Sequence, residues 1–411
     1  MKAPSFPIAV LLVVAPGLAV AQFRALAVAI ALSFLLTIIA HWRAHRSLPW
    51  PEKRPMLAFA LALLAWAAAS ALWSYEGLRA LQSTASLAAL VVLGAMAARA
   101  VGEDTQAALR RLGPALVAGL AIGAALMAFD HASGNAFRLA VRGFPKDMPF
   151  IAFGLKPAVS FFALLLPLVL AAQGVPILLR AALLGAGLAL AAWLPGETAR
   201  YALVGGLAAA GVASLAPRPM ARLAAVALAG FILLAPAIIG AITARGPDIS
   251  GLPNSAAHRV LIWDFVTDRI AERPFLGWGM EASRAMPEGT RPPSPDTLTR
   301  FGLTAPEDRA WFSQSAVQRL PLHPHNASLH IWLELGAVGA LLSAALAASA
   351  LLAAGSSPVA AAAIGAVASA SVTGQLSFGV WQPWWVAALL LAVVVLRGFA
   401  SAGREQPQQR R

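Results

Sequence analysis

The stretch LHPHNASLHIWLELGAVGALL, from Leu322 to Leu342, decides the fold because it joins a polar junction directly to an apolar helix. His323, His325 and Asn326 end a long polar segment, and the apolar run begins immediately after them. A helix needs about 20 apolar residues to cross the hydrocarbon core of a bilayer, and this run supplies them. The chain is therefore predicted to enter a membrane here, with histidines at the aqueous boundary.

The same apolar pattern recurs through the chain, whose residues are 59% hydrophobic and 12% charged. This composition excludes an ordinary soluble globular protein and predicts an all-α polytopic membrane protein. The first apolar run lacks a small-residue cleavage site, so we expect it to be retained as a helix. We predict about twelve transmembrane helices, at residues 6–21, 24–40, 56–74, 81–101, 112–129, 157–173, 177–195, 201–216, 223–242, 328–353, 358–374 and 380–397.

The basic residues indicate the orientation of these helices. The net charge of +13 is spread over many short loops, which does not indicate a nucleic-acid-binding patch. If the helices alternate, the basic clusters that follow the second, fourth, eighth and twelfth helices lie on one face, which the positive-inside rule makes cytoplasmic. We therefore expect both termini in the cytoplasm. The chain then divides into transmembrane helices one to nine (1–242), an extracytoplasmic segment (243–327), helices ten to twelve (328–397) and a cytoplasmic tail (398–411).

The extracytoplasmic segment is predicted to contain short helices. The stretch SAAHRVLIWDFVTDRIAERP has the spacing of an amphipathic helix, with Asn254 or Ser255 as N-cap and an end before Pro274. The Pro-rich stretch 287–306 is expected to be an irregular loop, and a second short helix is expected after Pro306.

A second outer segment, Asp130 to Lys156, mixes cationic and aromatic residues, with Arg142 and Lys146 among the cations. This mixture suits an anionic headgroup beside a lipid tail, but it equally suits a loop that is anchored at the membrane surface.

His325 is the candidate catalytic residue, because a neutral imidazole at the end of a helix can accept a proton near neutral pH. The alternative is that His323, His325 and Asn326 only cap or anchor the helix. A metal site is not expected, because His325 and His330 are five residues apart and no nearby acidic residue completes a ligand set.

Two arginines are candidates for binding an anion. Arg200 lies at the outer end of a predicted helix, where its planar guanidinium could grip a phosphate or pair with Glu197. Arg259 begins the amphipathic helix, one turn before Trp263, and could stack on that ring or face a ligand near the helix N-terminus.

Together these motifs resemble the O-antigen ligase and polymerase superfamily of bacterial polysaccharide assembly. The resemblance covers the region from about the seventh to the tenth predicted helix and rests on TAR (198–200), HRVLIW (258–263), RPFLGWG (273–279) and HN followed by ELGAVG. Its most specific part is the spacing from His325 to Gly336, with Gly339 three residues further on. The TAR motif departs from the more usual Ser-Arg-Gly of this superfamily, whereas the spacing from His325 to Gly336 agrees with it.

The resemblance implies a metal-independent, cofactor-free glycosyltransferase of the C-type membrane fold in the bacterial inner membrane, with its site on the periplasmic face. The donor would be an O-antigen glycan on undecaprenyl diphosphate, and the acceptor a sugar hydroxyl of the lipid A core. His325 would orient or deprotonate that hydroxyl, and Arg200 and Arg259 would bind the diphosphate. His323, Asn326, Arg142 and Lys146 are accessory candidates.

Three other functions remain open from the sequence. A polymerase that joins glycan repeats and an oligosaccharyltransferase that modifies protein hydroxyls share the donor chemistry. A transporter or flippase for lipid-linked sugar would bind the diphosphate without making a bond, although no symmetry between the two halves of the sequence favours it. The enzyme readings require His325, Arg200 and Arg259 to converge on one cavity.

Overall fold

The computed structural model describes residues 3–143 and 154–403, and within them it contains helices and turns but no strand. The α-helices of this part are α1 (Phe6–Gln22), α2 (Ala25–His45), α3 (Pro55–Ala69), α4 (Gly77–Gly102), α5 (Gln106–Leu109), α6 (Leu112–Ala132), α7 (Ala136–Arg142), α8 (Lys156–Leu165), α9 (Ile177–Trp193), α10 (Glu197–Leu215), α11 (Pro217–Thr243), α12 (Asn254–Glu272), α13 (Pro295–Arg300), α14 (Pro306–Phe312), α15 (Ala327–Gly355), α16 (Ala360–Leu376) and α17 (Pro383–Ala402).

The apolar helices confirm a polytopic membrane protein. Within the described ranges, 8 helical segments are long and apolar enough to cross a bilayer. Shorter apolar helices lie at Phe6–Gln22, Lys156–Ala171, Ile177–Trp193 and Ala360–Leu376, and they coincide with the remaining predicted spans. The positions of the helices thus follow the apolar runs of the sequence.

Small residues allow pairs of these helices to pack closely. On α6, a Cβ added to Gly119 would collide with the backbone carbonyl of Leu12 on α1. On α10, a Cβ at Gly206 would lie 2.8 Å from the carbonyl oxygen of Gly365 on α16. Close backbone approach of this kind is how helices associate in lipid, where the hydrophobic effect does not drive them together.

The segment between α11 and α15 carries the short helices. The amphipathic helix α12 and the helix α14 are confirmed. The expected N-cap is wrong: α12 begins at Asn254 with Pro253 in the cap position, and no side chain caps it. The Pro-rich stretch is also more ordered than predicted, because α13 forms within it and the side chain of Ser294 accepts a hydrogen bond from Thr297 N at 3.2 Å.

Helix α15 is broken at Gly336, whose φ of 61° and ψ of −160° are not helical. The break leaves carbonyl groups without their helical partners, and other parts of the chain supply donors. Trp278 N donates to Leu333 O at 2.9 Å, and Gly279 N donates to Glu334 O at 2.7 Å. The indole of Trp66 donates to Leu335 O at 3.0 Å. The RPFLGWG and ELGAVG motifs therefore form one packed unit.

Candidate functional site

The histidine turn, residues 322–326, is held in place from several sides. His325 lies in the left-handed region with a φ of 56°. Asn326 caps α15, because its side-chain oxygen accepts a hydrogen bond from Leu329 N at 2.9 Å. The indole of Trp263 on α12 donates to Pro324 O at 2.9 Å. The turn is thus fixed between α12 and the start of α15.

His325 has the protonation pattern of a base. Its Nδ1 lies 2.6 Å from Ser377 O, and because a carbonyl can only accept, Nδ1 carries the proton. Burial lowers the pKa of His325 to about 4, against the hydrogen bond to Ser377, and the nearby charge of Arg259 lowers it further. The ring is therefore neutral at pH 7, and within residues 3–143 and 154–403 no group donates a hydrogen bond to the lone pair of its Nε2.

A cavity of about 340 Å³ adjoins this histidine, and we call it the arginine cavity. Lys156, Arg200 and Arg259 contribute positive charge to its lining, and Glu197 contributes a carboxylate. Ser377, whose carbonyl holds His325, also lines it. The predicted donor-binding arginines thus share one cavity, and His325 contacts its wall.

Arg259 is the cation in this cavity with the fewest constraints. In the ranges 3–143 and 154–403 its guanidinium makes no hydrogen bond or ion pair. Burial lowers its pKa from the ordinary arginine value, because a charge is costly where water is scarce, and Glu197 opposes this shift. Since Trp263 is tied to Pro324, Arg259 is left to face the cavity. A half-buried guanidinium with no partner is suited to an anionic ligand.

Arg200 lines the arginine cavity and also binds the end of a neighbouring helix. Its Nε donates to Ala191 O at 3.1 Å and its Nη2 to Ala192 O at 3.0 Å. It therefore caps the C-terminal end of α9, where unpaired carbonyls attract a cation, and no ion pair with Glu197 is present among the described residues. Nη1 is the nitrogen left for a ligand.

The accessory candidates separate into distinct places. His323 is buried, and burial lowers its pKa to about 2; its Nδ1 accepts a hydrogen bond from His325 N at 3.2 Å. Arg142 donates from Nε to Ala21 O at 2.8 Å at the end of α1, which anchors α7, and it is not among the residues that line the arginine cavity. Lys146 lies outside the described residues.

Sequence reasoning missed a hydrogen-bond network around Glu334 on α15. This fully buried carboxylate accepts hydrogen bonds from Glu281 N at 2.8 Å, Ser283 Oγ at 2.6 Å and the indole of Trp381 at 2.7 Å. His330 Nε2 lies 3.2 Å from it. The signal was present in the sequence, because a carboxylate inside a membrane helix requires partners.

Comparisons with known proteins found a matching family and several similar curated proteins. The family described as O-antigen ligase matches residues 159–344, which include Arg200, Arg259, His325 and Gly336. A "Putative polysaccharide ligase" of Rickettsia bellii (strain RML369-C) is 29% identical over 170 residues, which are 40% of this chain and 38% of that protein. "Putative polysaccharide ligase RP358" of Rickettsia prowazekii (strain Madrid E) is 31% identical over 148 residues, 35% of this chain and 32% of that protein.

The chain thus spans less than two fifths of the length of these curated relatives. The resemblance inferred from the motifs is confirmed to the extent that the family described as O-antigen ligase matches residues 159–344. The roles of the individual site residues stay predictions.

Proposed function

We propose that this protein is an O-antigen ligase. It transfers an O-antigen glycan from undecaprenyl diphosphate to a sugar hydroxyl of the lipid A core, on the periplasmic face of the bacterial inner membrane. The observation that carries the proposal is the pairing of a base-competent imidazole with a cationic cavity: Nε2 of His325 is free, and Ser377 joins this residue to the cavity of Arg259.

The chemistry follows from these positions. The acceptor hydroxyl gives its proton to His325 Nε2, and its oxygen forms a bond to the anomeric carbon of the glycan. The bond from that carbon to the diphosphate oxygen breaks, and undecaprenyl diphosphate leaves with the electron pair. Arg259, the Nη1 group of Arg200 and Lys156 stabilise the negative charge on the diphosphate. The proton on His325 then passes to the diphosphate or to water.

A single displacement inverts the configuration at the anomeric carbon, because the acceptor attacks from the side opposite the leaving group. The side chains of the arginine cavity supply the positive charge that stabilises the leaving diphosphate, so the proposed step needs no metal ion. The C-type fold, the periplasmic site and cytoplasmic termini belong to the same proposal. The positive-inside pattern supports this orientation.

A polymerase or protein oligosaccharyltransferase would use the same donor cavity. A flippase would need the cationic cavity alone, whereas the fixed tautomer of His325 is needed only if a proton is taken. The base therefore favours an enzyme over a transporter.

The test replaces His325 with asparagine, because asparagine tolerates the left-handed backbone of this position but cannot act as a base. Purified His325→Asn protein should bind the lipid diphosphate donor like the wild type and should lose at least about a hundredfold in transfer rate, the size of a general-base contribution. His45→Asn, an exposed histidine at the end of α2, is the matched control and should transfer normally.

Wild-type transfer rates for His325→Asn would remove the base from the mechanism. In a deletion strain, loss of all capped core molecules supports a ligase. Loss of only those chains longer than one repeat would support the polymerase instead.

A further inference from the structure

A second cavity, of about 190 Å³, lies on the other side of the histidine turn. It is smaller than the roughly 300–1,000 Å³ of cavities that hold drug-sized ligands, so its size suits one sugar ring. We call it the Arg79 cavity. The residues that matter in its lining are Arg79, Glu281, Arg284, His323, Trp381 and Gln382.

His325 lines neither cavity, but it contacts a lining residue of each one. His323 lines the Arg79 cavity, and its ring lies 4.3 Å from the ring of His325, edge to face. On the opposite side, His325 is held by Ser377, which lines the arginine cavity. The chain then continues from Ser377 to Gly379, which lines the Arg79 cavity. The candidate base therefore lies between the two cavities.

The lining of the Arg79 cavity offers the groups that recognise a sugar. Glu281 accepts hydrogen bonds from Ser83 Oγ at 2.8 Å and from Arg284 Nε at 2.5 Å, which fixes the carboxylate. Trp381 is fixed because its indole donates to Glu334 at 2.7 Å. A fixed carboxylate and a fixed aromatic ring present hydrogen-bonding and stacking partners without an ordering cost on binding.

The Arg79 cavity also offers two arginine side chains that could bind a negatively charged group. The Nε of Arg79 lies 3.4 Å from Glu76, and Arg284 pairs with Glu281 through Nε. In the part of the chain that the structure describes, the Nη groups of both arginines donate no hydrogen bond. Two terminal guanidinium edges at one cavity are suited to a phosphate or carboxylate.

We propose that the Arg79 cavity binds the acceptor sugar, through a ring that carries an anionic substituent, and presents its hydroxyl to His325. This inference rests on the proposed function and adds to it a separate binding site for the second substrate. The donor diphosphate occupies the arginine cavity, and the acceptor occupies the Arg79 cavity, with the base between them.

The test uses Arg79→Gln in the full-length protein in proteoliposomes. Arg79 has an exposed side chain and only a surface ion pair, so its removal has little effect on folding. The probes are purified lipid A core without O-antigen as acceptor and glycan-loaded undecaprenyl diphosphate as donor. Arg291→Gln, which removes an exposed arginine paired with Glu288, is the matched control.

Arg79→Gln should raise the KM for the acceptor roughly tenfold, the effect of losing one charge-assisted hydrogen bond, and leave the KM for the donor unchanged. Its equilibrium binding of the acceptor without donor should weaken by the same factor. Arg259→Gln should show the reverse pattern, and Arg291→Gln should match the wild type. Removing phosphate from the acceptor with hydrofluoric acid identifies the anion: the Arg79 effect vanishes for a phosphate and persists for a carboxylate.

An unchanged acceptor KM for Arg79→Gln, with normal transfer by the wild type, overturns the assignment of this cavity and leaves the proposed function intact. A raised donor KM in Arg79→Gln also overturns it. A wild-type protein that transfers no glycan to the lipid A core overturns the proposed function and this inference together.

Discussion

Replacing Gly336 with alanine should destabilise the protein strongly, because two separate penalties fall on one residue. The φ of 61° and ψ of −160° at this position lie in a region that is essentially limited to glycine and costs about 1–3 kcal/mol for other residues. An added Cβ would also collide with Phe275 O and lie 2.6 Å from Gly277 N, and both are backbone atoms that cannot rotate away.

Overpacking of this kind costs about 1–3 kcal/mol in addition. The sum of about 2–6 kcal/mol is a large part of the roughly 5–15 kcal/mol that stabilises a typical folded domain. At roughly 2 °C per kcal/mol for a large chain, the apparent melting temperature in detergent should fall by about 4–12 °C. The backbone that must move is the segment 274–279, so chymotrypsin should cut after the exposed Phe275 faster than in the wild type.

The matched control is Gly230→Ala on α11, where an added Cβ meets no atom within 4 Å. It should melt at the wild-type temperature or up to about 2 °C above it, because alanine is more favourable than glycine in a helix interior by about 0.8–1 kcal/mol. If Gly336→Ala melts with the control and resists chymotrypsin equally, the break in α15 is not held by the contacts described, and the reasoning fails.

Three further predictions follow from the site and its surroundings. Activity requires neutral His325, so the transfer rate should stay constant above the pKa of about 4 and fall as the pH drops through this value. A bound diphosphate neutralises the positive charge of Arg259, which otherwise lowers the pKa of His325. The acid limb of kcat should therefore lie at higher pH than the acid limb of kcat/KM for the donor. Arg259→Gln should weaken donor binding roughly tenfold in an equilibrium assay. An unchanged affinity for the donor would show that Arg259 does not bind the diphosphate. Asp130→Asn leaves the fully buried Arg138 without its 2.6 Å ion pair and should cost about 3–5 kcal/mol, measured as a lower melting temperature. Asp268→Asn, at an exposed carboxylate that forms no ion pair among the described residues, is the control and should cost far less.

The positions of the helices could be predicted from the sequence because hydropathy is a local property, averaged over about 20 residues. For the same reason, the sequence could place His325 at the boundary of α15 and Arg259 on an amphipathic helix. The shared cavity of Arg200 and Arg259 followed from the motifs that carry the family resemblance.

Contacts between distant segments could not be predicted in this way. Arg200 caps α9 and Arg142 contacts α1 because carbonyls at helix ends need donors, and a sequence does not show which helix end lies nearby. The predicted N-cap of α12 is wrong because two polar residues at the start of this helix suggested a side-chain cap. Pro253 occupies the cap position instead, and no side chain caps the helix. Lys156 reaches the arginine cavity only because α8 packs beside α10.

The broken helix α15 has a consequence for the order in which the protein is assembled. An open break in lipid would leave the carbonyls of residues 333–335 without donors, at a cost of several kcal/mol for each group. Before the segment 274–279 has folded against it, this 29-residue stretch is most stable as one straight helix. We therefore expect α15 to be inserted as an ordinary membrane-spanning helix. The break at Gly336 then forms later, when the segment 274–279 packs against this helix. The histidine turn reaches its final position in that last step, so an unfinished chain in the membrane carries no assembled site.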